Sequence, residues 1–162
     1  MQVSTHLSLA ELTHSDTALR KGIDNTPTKE ALANLLVTAK KIFEPAREHF
    51  GVPIIISSGY RCPKLNTAIG GEPTSQHTKG EALDLVMTNG KSNKELFLFL
   101  LNNVEFDQLI AEDYLNGQPK WIHCSYTSAK PNRKEVWVAK RNLLGKMTYV
   151  KYTPNIWKAI YG

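Results

Sequence analysis

The chain has 162 residues, of which 41% are hydrophobic and 22% are charged, and 20 Lys and Arg against 15 Asp and Glu give a formal net charge of +5. This length predicts one domain over residues 1–162, and no apolar run is long enough to cross a bilayer, so we expect no membrane insertion. The basic residues are scattered, with the densest patch at 130–141 typical of a solvated strand and turn, so we expect no nucleic-acid partner.

The N-terminus lacks the basic start and apolar core of an ordinary secretory signal, so we expect synthesis in the cytoplasm.

The first half of the chain predicts a long helix, a strand and a short helix. Apolar residues at helical spacing over 28–51 predict a helix with a kink or break at Pro45 and an end at Gly51. A buried strand is predicted from Pro53 to Ser58, and a short helix over 62–71.

The second half predicts strands that are joined mainly by hairpins. "EALDLVM" (81–87) alternates roughly as a half-buried strand does, and Ser92 with Glu95 forms a capping box for the next helix. The Asn116-Gly117 pair predicts a hairpin between "EFDQLIAE" and "KWIHCSY", and a second hairpin is predicted around Gly145. This order predicts an α+β fold, a small domain with a mainly antiparallel sheet flanked by helices.

The two cysteines, Cys62 and Cys124, are too few for a disulfide scaffold or a Cys-rich zinc site. Free thiols are therefore expected, although a bond between the two stays open. Cys124 follows a histidine in a predicted strand, so its side chain should point to the opposite face as buried packing.

The segment "SQHTKGEALDL" holds two potential metal ligands, His77 and Asp84, with Gly80 between them where the loop must bend. Catalytic zinc usually takes three protein ligands and keeps one position open. His123 lies in the middle of a predicted strand between apolar residues, whereas the other histidines lie in polar segments or near a helix end. A single strand histidine is more often a hydrogen-bonded structural residue, so the other segments must decide.

Three segments bear on this choice: "SSGYRCPKLNTAIGGEPTSQHTKGEALDL", then "FDQLIAE", then "WIHCSY". In this order they resemble the zinc D-alanyl-D-alanine carboxypeptidase family and its phage and bacterial peptidoglycan-hydrolase relatives, which share the hedgehog/DD-peptidase fold. The resemblance extends from near Ser8 to near Tyr149. It implies that His77, Asp84 and His123 hold one zinc ion.

The resemblance also implies a carboxylate general base shortly before the Trp-x-His strand. Many members have it three residues before the histidine, where this chain has Lys120, so Glu112 becomes the candidate. If the hairpin folds around Asn116 and Gly117, Glu112 lies opposite Trp121 and one diagonal step, about 7–8 Å, from His123. Asp113 would then point to the other face, and Asp107 would lie farther along the strand. The alternative is that Glu112 only pairs with a basic residue at the sheet rim.

Four further residues have roles that the resemblance implies. Arg61 is expected to bind a substrate carboxylate or the tetrahedral oxyanion, the alternative being a structural ion pair. Ser75 is expected to donate to the substrate or else to shape its loop. Tyr60 either lines the cleft or belongs to the core, and Trp121 either walls the pocket or packs in the core.

The expected function is zinc-dependent hydrolysis of peptide bonds in peptidoglycan stem peptides or cross-links, of the D,D-carboxypeptidase or endopeptidase type. The absence of a secretory signal favours a phage or prophage endolysin that reaches the wall after release, or export by another route. The alternative is a catalytically weak, zinc-stabilised cell-wall-binding or structural module. The scissile bond stays open, as does the metal, since such sites accept other divalent ions. A monomer is expected.

Overall fold

The structure is a computed structural model that describes residues 1–162, and its centre is a six-stranded sheet of order β3-β4-β6-β5-β7-β8. A separate two-stranded ribbon lies at the N-terminus. The strands are β1 (Gln2–Ser4), β2 (Leu7–Ser8), β3 (Ile54–Ser58), β4 (Ala82–Met87), β5 (Gln108–Glu112), β6 (Trp121–Ser125), β7 (Glu135–Arg141) and β8 (Met147–Lys151). The predicted α+β class is therefore confirmed.

Every neighbouring pair in the large sheet is antiparallel except β5 with β7, which run parallel. Both predicted hairpins form. In the first, Asn116 and Gly117 have φ angles of 51° and 81°, the left-handed pair that a two-residue turn between twisted strands requires. Strand β3 was predicted to be buried, but it is an edge strand on which Ile55 is 52% exposed.

Seven α-helices surround the sheet, and none is long and apolar enough to cross a membrane. They are α1 (Leu9–Thr13), α2 (Asp16–Lys21), α3 (Lys29–Thr38), α4 (Glu44–Phe50), α5 (Pro63–Ala68), α6 (Asn93–Asn103) and α7 (Pro154–Tyr161). The break predicted at Pro45 appears as a π-helical turn, Ala39–Phe43, which joins α3 to α4 and adjusts the hydrogen bonding where proline has no N–H to donate. The predicted capping box of Ser92 and Glu95 begins α6.

Strand alternation divides the sheet into an apolar face and an open face. The apolar face packs against α3 and α6, and its side chains form one core with those helices, including Leu83, Leu85, Leu109, Ile122, Cys124 and Val138, all of them 0% exposed. Asp84, Glu112 and His123 alternate with these residues and therefore lie on the opposite face. Both cysteines are free, with Cys124 in the core as expected and Cys62 capping α5.

A short 3₁₀ turn, Gln76–Lys79, brings the chain across α3 and into β4, and it ends at Gly80 with φ of 73°. The Gly80 carbonyl accepts a hydrogen bond of 3.0 Å from the Thr38 hydroxyl, and a Cβ added to Gly80 would lie 2.3 Å from the Ala31 carbonyl oxygen. Glycine is thus required here both for its left-handed backbone and for close contact with α3.

Substitution Gly80→Ala should lower the free energy of unfolding by about 2–4 kcal/mol, because a left-handed backbone and a steric clash with Ala31 act together. Gly90 is the matched control, since its φ is 79° but a Cβ there would meet nothing within 4 Å. Gly90→Ala should cost only about 1 kcal/mol. Urea unfolding of both variants measures the difference, and equal losses would contradict this account of the turn.

Candidate metal centre

Three potential metal ligands from separate elements meet on the open face of the sheet. Asp84 on β4 and His123 on β6 are directly paired across the two strands, and His77 comes from the 3₁₀ turn. Asp84 Oδ1 lies 2.9 Å from His123 Nδ1 and 3.3 Å from His77 Nε2, and the two histidine nitrogens are 3.3 Å apart. The predicted set of three is therefore brought together.

A backbone carbonyl fixes the orientation of the His77 ring. His77 Nδ1 lies 2.7 Å from the Gly59 carbonyl oxygen, which can only accept, so Nδ1 carries the proton. Burial lowers the pKa of His77, which favours the neutral ring with its Nε2 lone pair facing Asp84 and His123. The backbone N–H of Arg61 donates to the His77 carbonyl at 3.1 Å, which ties the Ser-Gly-Tyr-Arg segment to the same turn.

The chemistry of this donor set fits one divalent cation. Burial acts to raise the pKa of Asp84, but the two histidines outweigh it and hold this pKa far below its usual range, so the carboxylate is ionised. A cation placed among these three atoms would replace the proton that a histidine must otherwise hold to attract the carboxylate. Two imidazoles and one carboxylate are a usual protein set for zinc, and the bond from His77 to Gly59 is the second-sphere support such ligands receive.

Glu112 lies where the predicted hairpin register puts it, opposite Trp121 and diagonal to His123. The residue is 8% exposed and lies on the same face as the three candidate ligands. Burial, with smaller contributions from Asp84 and Asp113, raises the pKa of Glu112 to about 7, although His123 acts against this. A carboxyl group with that pKa can both take and return a proton near neutral pH.

The two other acids of this region are engaged in structural contacts. Asp107 is 0% exposed and accepts from Arg133 Nη2 at 2.7 Å and from Gln76 Nε2 at 3.0 Å. Burial acts to raise the pKa of Asp107, but these hydrogen bonds outweigh it and keep the pKa below its usual value. Asp113 accepts from Arg141 Nε at 3.2 Å. Both acids are therefore engaged by arginines in structural contacts, which leaves Glu112 as the candidate acid–base group.

The candidate ligands and Glu112 line one open cavity of about 980 Å³, together with Arg61, Ser75 and Trp121. Tyr60 is not at the cavity; it is 3% exposed and belongs to the core cluster. Its assignment as a substrate-binding residue is therefore corrected to the core alternative, because the turn into Arg61 directs the Tyr60 side chain inward.

Arg61 faces the cavity with part of its hydrogen-bonding capacity unused. Its Nη2 lies 4.0 Å from Asp84 Oδ2, its Nη1 donates to Asn66 Oδ1 at 3.4 Å, and its buried Nε has no partner. Burial lowers the pKa of Arg61, and Asp84 acts against that shift. A guanidinium held in this way retains donors for an anionic group in the cavity.

Two contributions were missed by sequence reasoning. Gln76 bonds to Asp107 and so ties the turn that carries His77 to the start of β5. Tyr149 and Met147 reach the cavity from β8. The strand pattern of β8 was visible in the sequence, but its distance from the site depends on the parallel pairing of β5 with β7, which no local signal predicts.

A sequence model described as Peptidase M15 matches residues 5–125 of the chain. The matched range includes all three candidate ligands and Glu112, and it ends at the last residue of β6. No curated protein matches the chain.

Chelator-treated protein should bind one Zn²⁺ per chain, and His123→Ala should weaken that binding by at least about 100-fold because one of three ligands is lost. His14 is the matched control; its side chain is 60% exposed and pairs only with Asp16. Isothermal titration with a competing chelator measures both variants. Parent-like affinity in His123→Ala would contradict the proposed ligand set.

Glu112→Gln should stabilise the metal-free protein at alkaline pH. The folded-state pKa of Glu112 is raised to about 7 from an ordinary value of 4.5, so its contribution to stability is present below pH 4.5 and lost as pH rises through 7. The variant has no carboxyl group to ionise at this position. Its free energy of unfolding at pH 8 should therefore exceed that of the parent by about 1–3 kcal/mol, and the difference should vanish towards pH 4.5. Thermal unfolding at both pH values measures it; a pH-independent difference would contradict the assignment.

Proposed function

The chain belongs to the Peptidase M15 family of zinc-dependent peptidases, and from that premise we propose that it hydrolyses peptide bonds in bacterial peptidoglycan. One observation carries the proposal: a buried glutamate with a pKa of about 7 shares a cavity with a convergent His-Asp-His set. We propose D,D-carboxypeptidase or endopeptidase specificity, acting on stem peptides or cross-links.

In this proposal the cavity binds an anionic peptide. Arg61 offers unused donors beside the candidate ligands, and Lys79 and Lys130 line the same cavity. Arg133 also lines it but is paired with Asp107, and Glu72 and Glu81 are the acidic lining residues outside the candidate catalytic set. Residues 126–162 hold eight Lys and Arg residues and one acidic residue, so the net positive charge of the chain comes from this segment. Peptidoglycan stem peptides carry free carboxylates, so this charge supports such a substrate.

Glu112 is the proposed general base. Its carboxylate takes a proton from the attacking water and then gives it to the leaving amine. His77, Asp84 and His123 would hold the zinc ion, which when bound polarises the scissile carbonyl and acidifies water. Arg61 would bind either the substrate carboxylate or the oxyanion that develops on the carbonyl. Ser75 and Trp121 are proposed to contact the peptide, since both line the cavity.

Cleavage of cross-links weakens the wall that resists turgor, so we propose a phage or prophage endolysin as the biological setting. Added to permeabilised bacteria, the zinc-loaded protein should then lower the turbidity of the suspension. Activity only on soluble stem peptides would instead favour a carboxypeptidase that trims the wall.

Zinc-loaded protein should release peptide fragments from purified peptidoglycan, and Glu112→Gln should release them at least about 100-fold more slowly because the base is lost. The variant should still bind Zn²⁺, since Glu112 is outside the ligand set. Glu48→Gln is the matched control, because Glu48 is an exposed helix residue outside the cavity. Mass spectrometry of the fragments identifies the bond that is cleaved.

A chelator should abolish the release, and added Zn²⁺ should restore it. No release by zinc-loaded parent protein from walls of several bacteria would overturn the peptidase assignment. Binding of the intact protein to those walls would then favour the second class of function, a zinc-stabilised wall-binding module.

A further inference from the structure

The β7–β8 hairpin lies outside the residues that match the family, yet it forms part of the cavity. Its second strand contributes Met147 and Tyr149 to the lining. The side chains on this side of the cavity therefore come from the C-terminal segment beyond the matched range.

Sheet register places Tyr149 in the same row as Glu112. In the parallel pair, Ala111 is opposite Val138, so the next step along both strands sets Glu112 beside Ala139. Ala139 is in turn opposite Tyr149. Residues in one row project from the same face, so Glu112, Ala139 and Tyr149 share the open face.

The small residue between them lets the tyrosine reach across. Neighbouring strands are about 4.8 Å apart, so the backbones of Glu112 and Tyr149 are separated by about 10 Å. A methyl group at Ala139 leaves that space free for two longer side chains to approach each other. Ala139 is 0% exposed although it is outside the core cluster, which is the burial expected when larger neighbours in its row cover it.

The electrostatics agree with this proximity. Burial and the charge of Glu112 raise the pKa of Tyr149, and Tyr149 in turn favours the ionised form of Glu112. The other titratable groups that influence Glu112 or are influenced by it are Asp84 on β4, Asp113 after β5, His123 on β6 and Tyr161 on α7. Among the titratable groups around Glu112, Tyr149 is the one that is a neutral hydrogen-bond donor and also lines the cavity.

We propose that Tyr149 is a positioning residue whose hydroxyl donates to the Glu112 carboxylate and holds it towards the cavity. This inference rests on the proposed function and deepens it, because it assigns a role to a segment outside the family match. Tyr149 is 52% exposed and lines the cavity, so its side chain can be reached from the cavity while the proposed donation directs its hydroxyl at Glu112.

Tyr149→Phe removes only the hydroxyl and should lower kcat on peptidoglycan peptides by about tenfold, the effect of losing one hydrogen bond to a charged group, with KM nearly unchanged. The acid limb of the kcat/KM profile should move to higher pH, because the ionised base loses a donor. Zinc affinity should equal that of the parent. Tyr114→Phe is the matched control, since Tyr114 is also 52% exposed but lies outside the cavity.

A parent-like kcat and acid limb in Tyr149→Phe would overturn the inference. If the zinc-loaded parent cleaves nothing, that result would instead contradict the proposed function. The hydrogen bond between Tyr149 and Glu112 would then be tested by a measurement that needs no cleavage. Carbon NMR of the Glu112 carboxyl, assigned through Glu112→Gln, gives its titration midpoint in the parent and in Tyr149→Phe. A higher midpoint in the variant supports the contact, and an unchanged midpoint overturns it.

Discussion

The antiparallel pairing of β4 with β6 sets Asp84 directly opposite His123, and the whole candidate site depends on that register. A slip of one residue would exchange the two faces of either strand. Leu83 and Leu85 on one strand, and Ile122 and Cys124 on the other, are 0% exposed in the core. Burying these four side chains therefore also fixes two candidate ligands on the open face, so the hydrophobic core holds the site in place.

Asp107, just before β5, and Glu112, the last residue of β5, serve structure and chemistry respectively. Asp107 is fully buried, but Arg133 and Gln76 donate to it and its pKa is low. Glu112 is nearly as buried, lacks a cationic partner of that kind, and its pKa is raised to about 7. Environments that push two carboxyl groups apart in pKa mark one as structural and the other as the acid–base candidate. Asp107 also ties the turn that carries His77 to the sheet, so the structural acid supports the candidate site.

Local signals in the sequence predicted much of this arrangement, since each acts over a few residues. The Asn116-Gly117 turn set the register that places Glu112 opposite Trp121, and Gly80 marked the bend between two candidate ligands. Features that depend on distant pairing were missed. The parallel contact of β5 with β7 brings Tyr149 to the cavity, and the edge position of β3 exposes Ile55. Burial of Tyr60 depended likewise on how its turn packs against α1, where its backbone N–H donates to Leu12.

Two groups at the cavity cost folding stability. Arg61 has a buried Nε without a partner, and burial disfavours the ionised form of Glu112. Elsewhere the buried charges are paired, as Asp107 is with Arg133 and Asp113 with Arg141. A sheet whose other face is fully packed can tolerate this local cost. In the proposed function an anionic peptide would supply partners for the free donors of Arg61, so the stability lost at Arg61 would favour binding of that peptide.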